Sequence, residues 1–518
     1  MNAASAGTSA RPASGLGRLL ARRPLACVAA AFLASRLAYF AAGIRFDAIP
    51  LAGFWQIIDP TLLRDDLWRS VHYLHSQPPL FNLFLGLVLK GFRGHEIVAF
   101  QAVYLGMGLA LAVSVCLLMG RLGVPGVLRT VLAVLFTVSP ACILHENWLF
   151  YDYPVMLLLV LAAWFLHRFA GGRQARDGVA FFTLLAFAVL TRSLFHPAWF
   201  ALAVAMLWLG QRRDWKLVAA ASCGPFLLVL AWYVKNLAVF GSFVGSTWVG
   251  MNFADITTLQ VPRPEREALV REGALSPFAL IPTFRPLRDY RGILPEAKPT
   301  GIPVLDRETK PSGAPNFNHS AYIAVSRAYF RDALAVVRRR PSAYARGVRD
   351  AYLRYFIPAT DHDWLAGNRE KMAALDRIYS VVVCGRFGSG RWPASPEAAQ
   401  EMGLGQKFLN TGLFLLVGCP VLFLYGLIAA RRAFARPEER ARALTLLFLC
   451  LTIAYVTVAG NALEVGENFR NRFTLAPFYL VLLGLLIGGR RVVAAPNGKA
   501  VVLSRDQGPT GRRGPGWR

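Results

Sequence analysis

The chain of 518 residues is 55% hydrophobic, 12% aromatic and only 17% charged, with a mean hydropathy of +0.41. Soluble proteins carry about 25% charged residues, so this composition, with long apolar runs from end to end, excludes a soluble enzyme, a singly anchored one and a single-span receptor. Lys+Arg 57 against Asp+Glu 30 leaves a formal charge of +27; in a chain that spends most of its length in lipid, that excess reads as topology-setting flanks and a phosphate-bearing lipid ligand, not as nucleic-acid binding.

Residues 1–23 form a basic tail with Arg18, Arg22 and Arg23. The first apolar run, 24–44, is too long for a cleaved signal and contains Arg36, so it is expected to persist as a first helix. Segment 45–95 follows, and its apolar stretch 80–89, opened by Gln77-Pro78-Pro79, has the length of a juxtamembrane helix lying on the outer leaflet. Further spans are expected near 96–119, 127–144, 154–168, 179–195, 197–210 and 217–239, completing an N-terminal module over 24–239. The loop 240–406 mixes Pro/Gly-rich sequence at 281–315 with amphipathic stretches at 319–340 and 342–357, which predicts a mostly helical outer cap. Spans near 407–430, 443–461 and 473–489 form a C-terminal block over 407–489. A second basic tail covers 490–518, and 1–17 and 496–518 read as disordered.

The fold class expected is therefore an all-α polytopic membrane protein of about ten transmembrane helices. The basic groups Arg121 with Arg129, Arg168, Arg173 and Arg176, Arg212, Arg213 and Lys216, Arg431, Arg432 and Arg436, and Arg490 and Arg491 share one face if ten spans alternate. That orientation puts both termini in the cytoplasm and segments 45–95 and 240–406 outside. Six of seven cysteines, all but Cys384, lie in apolar runs, so neither a disulfide framework nor structural zinc is expected.

Charge near hydrocarbon is costly and usually tied to function, and the outer side collects it. Asp59 precedes Pro60, and Asp65-Asp66 follow; His145-Glu146 and Asp152 fall in a short connection. Arg192 and His196 are four apart and share a face if one helix runs through both. Lys235-Asn236 end the seventh span, and Glu464, Glu467, Arg470 and Arg472 open the tenth. A carboxylate there can take the proton of an acceptor hydroxyl attacking an anomeric carbon, while cations hold a departing lipid phosphate, arginine bidentately. Plainer readings stand beside each: a helix cap or turn for Asp59, a solvated face for Asp65 and Asp66, an interfacial anchor for Glu146, and snorkelling for Arg36, Arg192 and Lys235.

Three stretches carry a resemblance. They are Asp59-Pro60-Thr61-Leu62-Leu63 with His75-Ser76-Gln77-Pro78-Pro79-Leu80-Phe81-Asn82; Trp232-Tyr233-Val234-Lys235-Asn236 through Phe240-Gly241-Ser242-Phe243-Val244; and Gly466-Glu467-Asn468-Phe469-Arg470-Asn471-Arg472-Phe473 with Pro477. They resemble, over roughly 24–490, the GT-C superfamily of integral-membrane glycosyltransferases, in particular the bacterial branch related to protein O-mannosyltransferases, lipid A aminoarabinose transferases and RgtA/B/C/D-like lipopolysaccharide transferases. The resemblance implies a GT-C fold in a bacterial inner membrane, with an active site facing the periplasm. It also implies an inverting transfer of sugar from a polyprenyl-phosphate donor to a cell-envelope glycan, lipid or protein.

By position, Asp59 would be the base, with Asp65 and Asp66 as alternatives, and Glu146 the second-loop acid that orients donor or acceptor. Arg192, Lys235, Arg470 and Arg472 would hold the lipid phosphate. Glu467 would position substrate, and His75, His145, His196 and Asn236 would line the site. Two departures are that the acidic pair sits at Asp65-Asp66 rather than at Asp59, and that Lys235 replaces the more usual arginine. No cofactor is required; a divalent metal is compatible with the site but not needed, since the cations can neutralise a monophosphate. The rival class is a transporter or flippase of lipid-linked sugars, against which stands the scarcity of charge along a path through the membrane.

Overall fold

The computed structural model describes residues 15–211, 214–294, 298–393, 395–488, 491–494 and 500–503. Arg212, Arg213, Arg490 and most of both tails lie outside the described residues. Within the described parts of the tails, residues 15–17 belong to the helix Gly15–Arg22, and Arg491–Ala494 pairs antiparallel with Ala500–Leu503. The helix at 15–17 and the strand Ala500–Leu503 fall where disorder is expected from the sequence.

The chain is a multi-pass helical membrane protein, and each apolar run expected to span is helical. Among the described residues six helices are long and apolar enough to cross a membrane: Pro24–Ala41, Glu96–Arg121, Asp152–Gly172, Trp215–Phe240, Leu413–Phe434 and Pro437–Leu463. The count becomes eight if each of two bent pairs is one span. The other two expected spans are the helices Ala175–Thr191 and Pro197–Gly210. At 1.5 Å per residue they extend only about 26 Å and 21 Å, short of the roughly 30 Å hydrocarbon core.

The bent pairs have local causes. Gly126–Thr137 turns by 56° into Pro140–Glu146, where Pro140 opens the second piece and Ser139 accepts a hydrogen bond from the Cys142 amide at 3.3 Å. Asn468–Thr474 turns by 54° into Ala476–Gly488, where Pro477 offers no amide to continue the ladder. Each break brings a short half-helix carrying charged residues into the protein interior.

Segment 45–95 folds into four short helices, Pro50–Gly53, Pro60–Asp65, Leu67–His72 and Pro79–Gly91, each but the third opened by proline. The last covers the apolar stretch 80–89. The cap is built on Val249–Ile256, Ala321–Arg339 and Pro341–Tyr355, the latter two matching the amphipathic stretches. Its own core includes Trp248, Met251, Tyr322, Val325 and Tyr329.

Two cap helices touch at Gly250, where an added Cβ would lie 1.8 Å from the Ser326 carbonyl oxygen. The Gly250 amide also donates to Ser326 Oγ at 3.0 Å. Overpacking a backbone contact costs about 1–3 kcal/mol. Gly250→Ala is therefore expected to lower the thermal midpoint of the purified protein, whereas Gly273→Ala, in open space at positive φ, tests strain alone.

Candidate active site on the cap side

The half-helix Asn468–Thr474, the cap-side ends of two spans and the cap deliver a ribbon of charge. Asp152, the first residue of Asp152–Gly172, is fully buried. Its Oδ1 receives Arg192 Nη1 at 2.6 Å, and its Oδ2 lies 3.4 Å from Arg470 Nε. Arg192 reaches on to Asn471 Oδ1 at 2.5 Å. Arg470 pairs with Glu467 Oε2 at 2.9 Å, and Glu467 Oε1 is 2.9 Å from His362 Nε2, contributed by the cap. Aromatic faces back both cations, Tyr151 under Arg192 at 5.3 Å and Phe150 under Arg470 at 4.9 Å. Burial raises the Glu467 carboxyl, but Arg470 and His362 outweigh it and hold the group well below the usual carboxylate range.

Glu464 stands at the same level without a hydrogen bond or ion pair from its side chain among the described residues. Burial moves its carboxyl upward; Arg470 and Arg192 oppose the shift, while Glu467 and Asp152 add to it. The ribbon thus brings Arg192 together with Glu467 and Arg470 from a distant part of the sequence. Arg192 reaches it differently from the sequence expectation. The helix Ala175–Thr191 ends one residue earlier and Arg192 is extended, at φ −137° and ψ 123°. It therefore shares no helix face with His196, which caps Pro197–Gly210 by accepting from the Ala198 amide at 3.2 Å.

Several other residues expected at the site make contacts within the protein. His75 Nδ1 is 2.7 Å from Thr247 Oγ1 and Nε2 is 2.9 Å from the Asn318 carbonyl. Burial pushes the ring down to about 3, so it is neutral and pins segment 45–95 to the cap. Lys235 donates to the Leu74 carbonyl at 2.9 Å and stacks on Trp232 at 3.4 Å. Asn236 donates to the Val244 carbonyl at 2.7 Å and so closes the turn after its helix. Buried His145 is 3.1 Å from the Ala359 carbonyl. Arg472 grips the Tyr355 and Ile357 carbonyls at 2.9 and 3.1 Å, fixing the end of Pro341–Tyr355.

Glu146 is engaged most completely. Its two oxygens take Arg36 Nε at 2.8 Å and Nη2 at 2.6 Å, and Tyr153 donates to Oε2 at 2.8 Å. Gly108 makes the room, since a Cβ there would fall 2.1 Å from Oε2. Arg36 therefore does not snorkel; it is a partner in an interior ion pair.

Asp59 realises the capping reading. It is 3% exposed, and Oδ1 accepts from the Thr61 amide and hydroxyl at 2.8 and 2.9 Å. Oδ2 pairs with Arg307 of the cap at 3.0 Å. Asp65 is exposed and Asp66 half-buried, at the ends of the short helices Pro60–Asp65 and Leu67–His72. Neither forms an ion pair among the described residues.

A carboxylate passed over in the sequence is better placed. Asp47 is half-buried, just after the first span. Its backbone pairs with the strand-like stretch around Trp148, accepting from the Leu149 amide at 2.9 Å and donating to the Asn147 carbonyl at 2.8 Å. Oδ1 accepts from the Ile49 amide at 2.8 Å, and Oδ2 has no donor among the described residues. Burial raises this carboxyl above its ordinary value, against that one hydrogen bond. It opens on a groove of about 680 Å³ lined by Arg45, Ile49, Pro60, Ile97, Asn368 and Lys371. Trp148 joins the two regions, its ring 4.8 Å from that of His362. The sequence signal for Asp47 was its position, an acidic residue directly after a span.

Among the described residues, no three His, Cys, Asp or Glu side chains gather as metal ligands. All seven cysteines are free.

No protein-family profile and no curated protein matches the chain. Among solved structures, the chain is similar to an oligosaccharyltransferase of Archaeoglobus fulgidus tethered to an acceptor peptide containing the NVT sequon. The two are 12% identical with a TM-score of 0.40, over 89% of this chain and 49% of that one. It is also similar to ArnT from Cupriavidus metallidurans in the apo state, at 15% identity and a TM-score of 0.31, over 88% of this chain and 76% of that one. ArnT bound to undecaprenyl phosphate gives 13%, 0.29, 88% and 77%. The chain thus spans about half the length of the oligosaccharyltransferase. Likenesses at these scores carry no weight for what this chain does.

Proposed function

We propose that the protein is a GT-C glycosyltransferase that takes a sugar from a polyprenyl-phosphate donor and places it on a cell-envelope glycan, lipid or protein. The reaction belongs to the face bearing the cap, which we assign to the periplasmic side of a bacterial inner membrane. The observation that carries the reading is the ribbon in which Arg192 and Arg470 share Asp152, on the same side of the bundle as a carboxylate, Asp47, that lines a groove and is linked to the ribbon indirectly, through its backbone pairing beside Trp148 and the Trp148–His362 ring contact. Two forked cations, held by a buried carboxylate and backed by aromatic rings, suit a lipid phosphate that gains charge as its sugar leaves. An open carboxylate of raised pKa suits removal of the acceptor's proton as that oxygen attacks the anomeric carbon. Asp47 thereby takes the role the sequence reading gave to Asp59, and Glu146 becomes structural.

The test is release of free polyprenyl phosphate by the protein in nanodiscs, supplied with a panel of polyprenyl-phosphate sugars and membrane-extracted acceptors. Release is expected from one donor class, at similar rates in EDTA and in magnesium or manganese. Lipid-linked sugar scrambled between leaflets with no release would instead support a flippase.

A further inference from the structure

We infer that the face opposite the cap holds a built site for the headgroup of an anionic phospholipid from the adjacent leaflet. A pocket of about 480 Å³ lies between the amphipathic helix Gly15–Arg22 and the spans beginning at Pro24, ending at Arg121 and beginning at Gly126. Three arginines line it. Arg22 and Arg23 come from the junction of the amphipathic helix with the first span, and Arg129 from the first turn of Gly126–Thr137. The remaining wall includes Pro24, Leu25 and Leu117.

Several observations point to a bound anion with an apolar tail. None of the three arginines forms an ion pair or side-chain hydrogen bond with a described residue, and Arg129 Nε is buried without an acceptor. Elsewhere on this face arginines do find partners, Arg168 with Asp177, Arg173 with Asp214 and Arg436 with Glu439. Other arginines of this face, such as Arg431 and Arg432, also have no ion pair with a described residue, but at this cavity three unneutralised guanidinium groups converge. Thr130 Oγ1 donates to the Leu20 carbonyl at 3.1 Å and holds the amphipathic helix against the bundle, so the pocket's floor is fixed. Leu25 is exposed beside it at the membrane surface, which continues the pocket into the region of acyl chains. Guanidinium groups bind phosphate oxygens bidentately, and basic pockets between spans at a membrane surface suit acidic headgroups.

The experiment is native mass spectrometry of the full chain released from detergent with phosphatidylglycerol, phosphatidylcholine or inorganic phosphate. Wild type is expected to retain phosphatidylglycerol over phosphatidylcholine, and Arg22→Gln/Arg23→Gln/Arg129→Gln to retain it on the order of tenfold less. Arg431→Gln/Arg432→Gln, which removes charge from the same face outside the pocket, should match wild type. Equal retention by wild type and the triple variant, or an equal loss in the Arg431/Arg432 variant, overturns the site. Displacement of the lipid by equimolar inorganic phosphate overturns the lipid as its occupant. Should the triple variant not fold, Arg22→Gln/Arg23→Gln, both on exposed side chains, carries the same comparison.

Discussion

Replacing Asp47 by asparagine is expected to slow release of polyprenyl phosphate by about 10²–10⁴-fold, the usual contribution of a general base. The variant should keep its fold, because the asparagine carbonyl can still accept from the Ile49 amide, the hydrogen bond that Asp47 Oδ1 receives. Asp59→Asn should behave in the opposite way. It keeps the helix cap, since asparagine caps as well as aspartate, and loses only the charge of the pairing with half-exposed Arg307, so it should cost at most about 1 kcal/mol of stability while leaving turnover of the folded fraction near wild type. The two variants separate in one experiment that measures turnover and thermal midpoint together. Loss of turnover in Asp59→Asn with Asp47→Asn active would return the base to Asp59. The pH profile gives a second readout. A base works only when deprotonated, and burial raises the Asp47 carboxyl, so the rate should climb with pH through a midpoint above about 3.9, the ordinary aspartate value.

The largest stability effect is expected at Arg36 and Glu146. Removing one member of a buried pair strands the other's charge, at a cost of about 3–5 kcal/mol. Glu146 is 1% exposed and takes both arms of the guanidinium, so Arg36→Met should sharply reduce yield and thermal midpoint. The double variant Arg36→Met/Glu146→Met removes both charges and should recover most of that loss. Its turnover is decisive for the role of Glu146. A stable double variant that still releases polyprenyl phosphate leaves Glu146 structural, whereas a stable but inactive one restores it to the chemistry.

The positions of the helices were legible because apolar runs and proline-opened starts need little tertiary context. All ten expected spans are helical, and the amphipathic stretches of 240–406 became the cap helices Ala321–Arg339 and Pro341–Tyr355. Two of these runs form helices of 17 and 14 residues, shorter than most membrane-crossing helices, a difference that a hydropathy reading does not register. At the site, sequence reading found the right residue types but not their partners. Arg192, Glu467 and Arg470 were legible because arginine and glutamate beside hydrocarbon demand partners. His75 and Lys235 looked equally promising and are spent on backbone carbonyls and a threonine, contacts made across about 160–240 residues of sequence. Asp152 was noticed only as a neighbour of Glu146, although it proves to be the carboxylate that organises both arginines. Asp47 was missed because it has no flanking motif; only the pairing of its backbone with 147–149 shows that it borders the site.

The grip of Arg472 on the Tyr355 and Ile357 carbonyls bears on how a substrate arrives. Arg472 sits on the same half-helix as Arg470, so the end of Pro341–Tyr355 and the cation that meets Asp152 are riveted together. Lifting the cap like a lid would strip two acceptors from an interior guanidinium, a penalty of several kcal/mol. Access from above by such a swing is therefore closed. Under the proposed function, a donor whose long isoprenoid chain is dissolved in the bilayer would have to arrive sideways, between helices and at the depth where it already resides, with the cap still fastened.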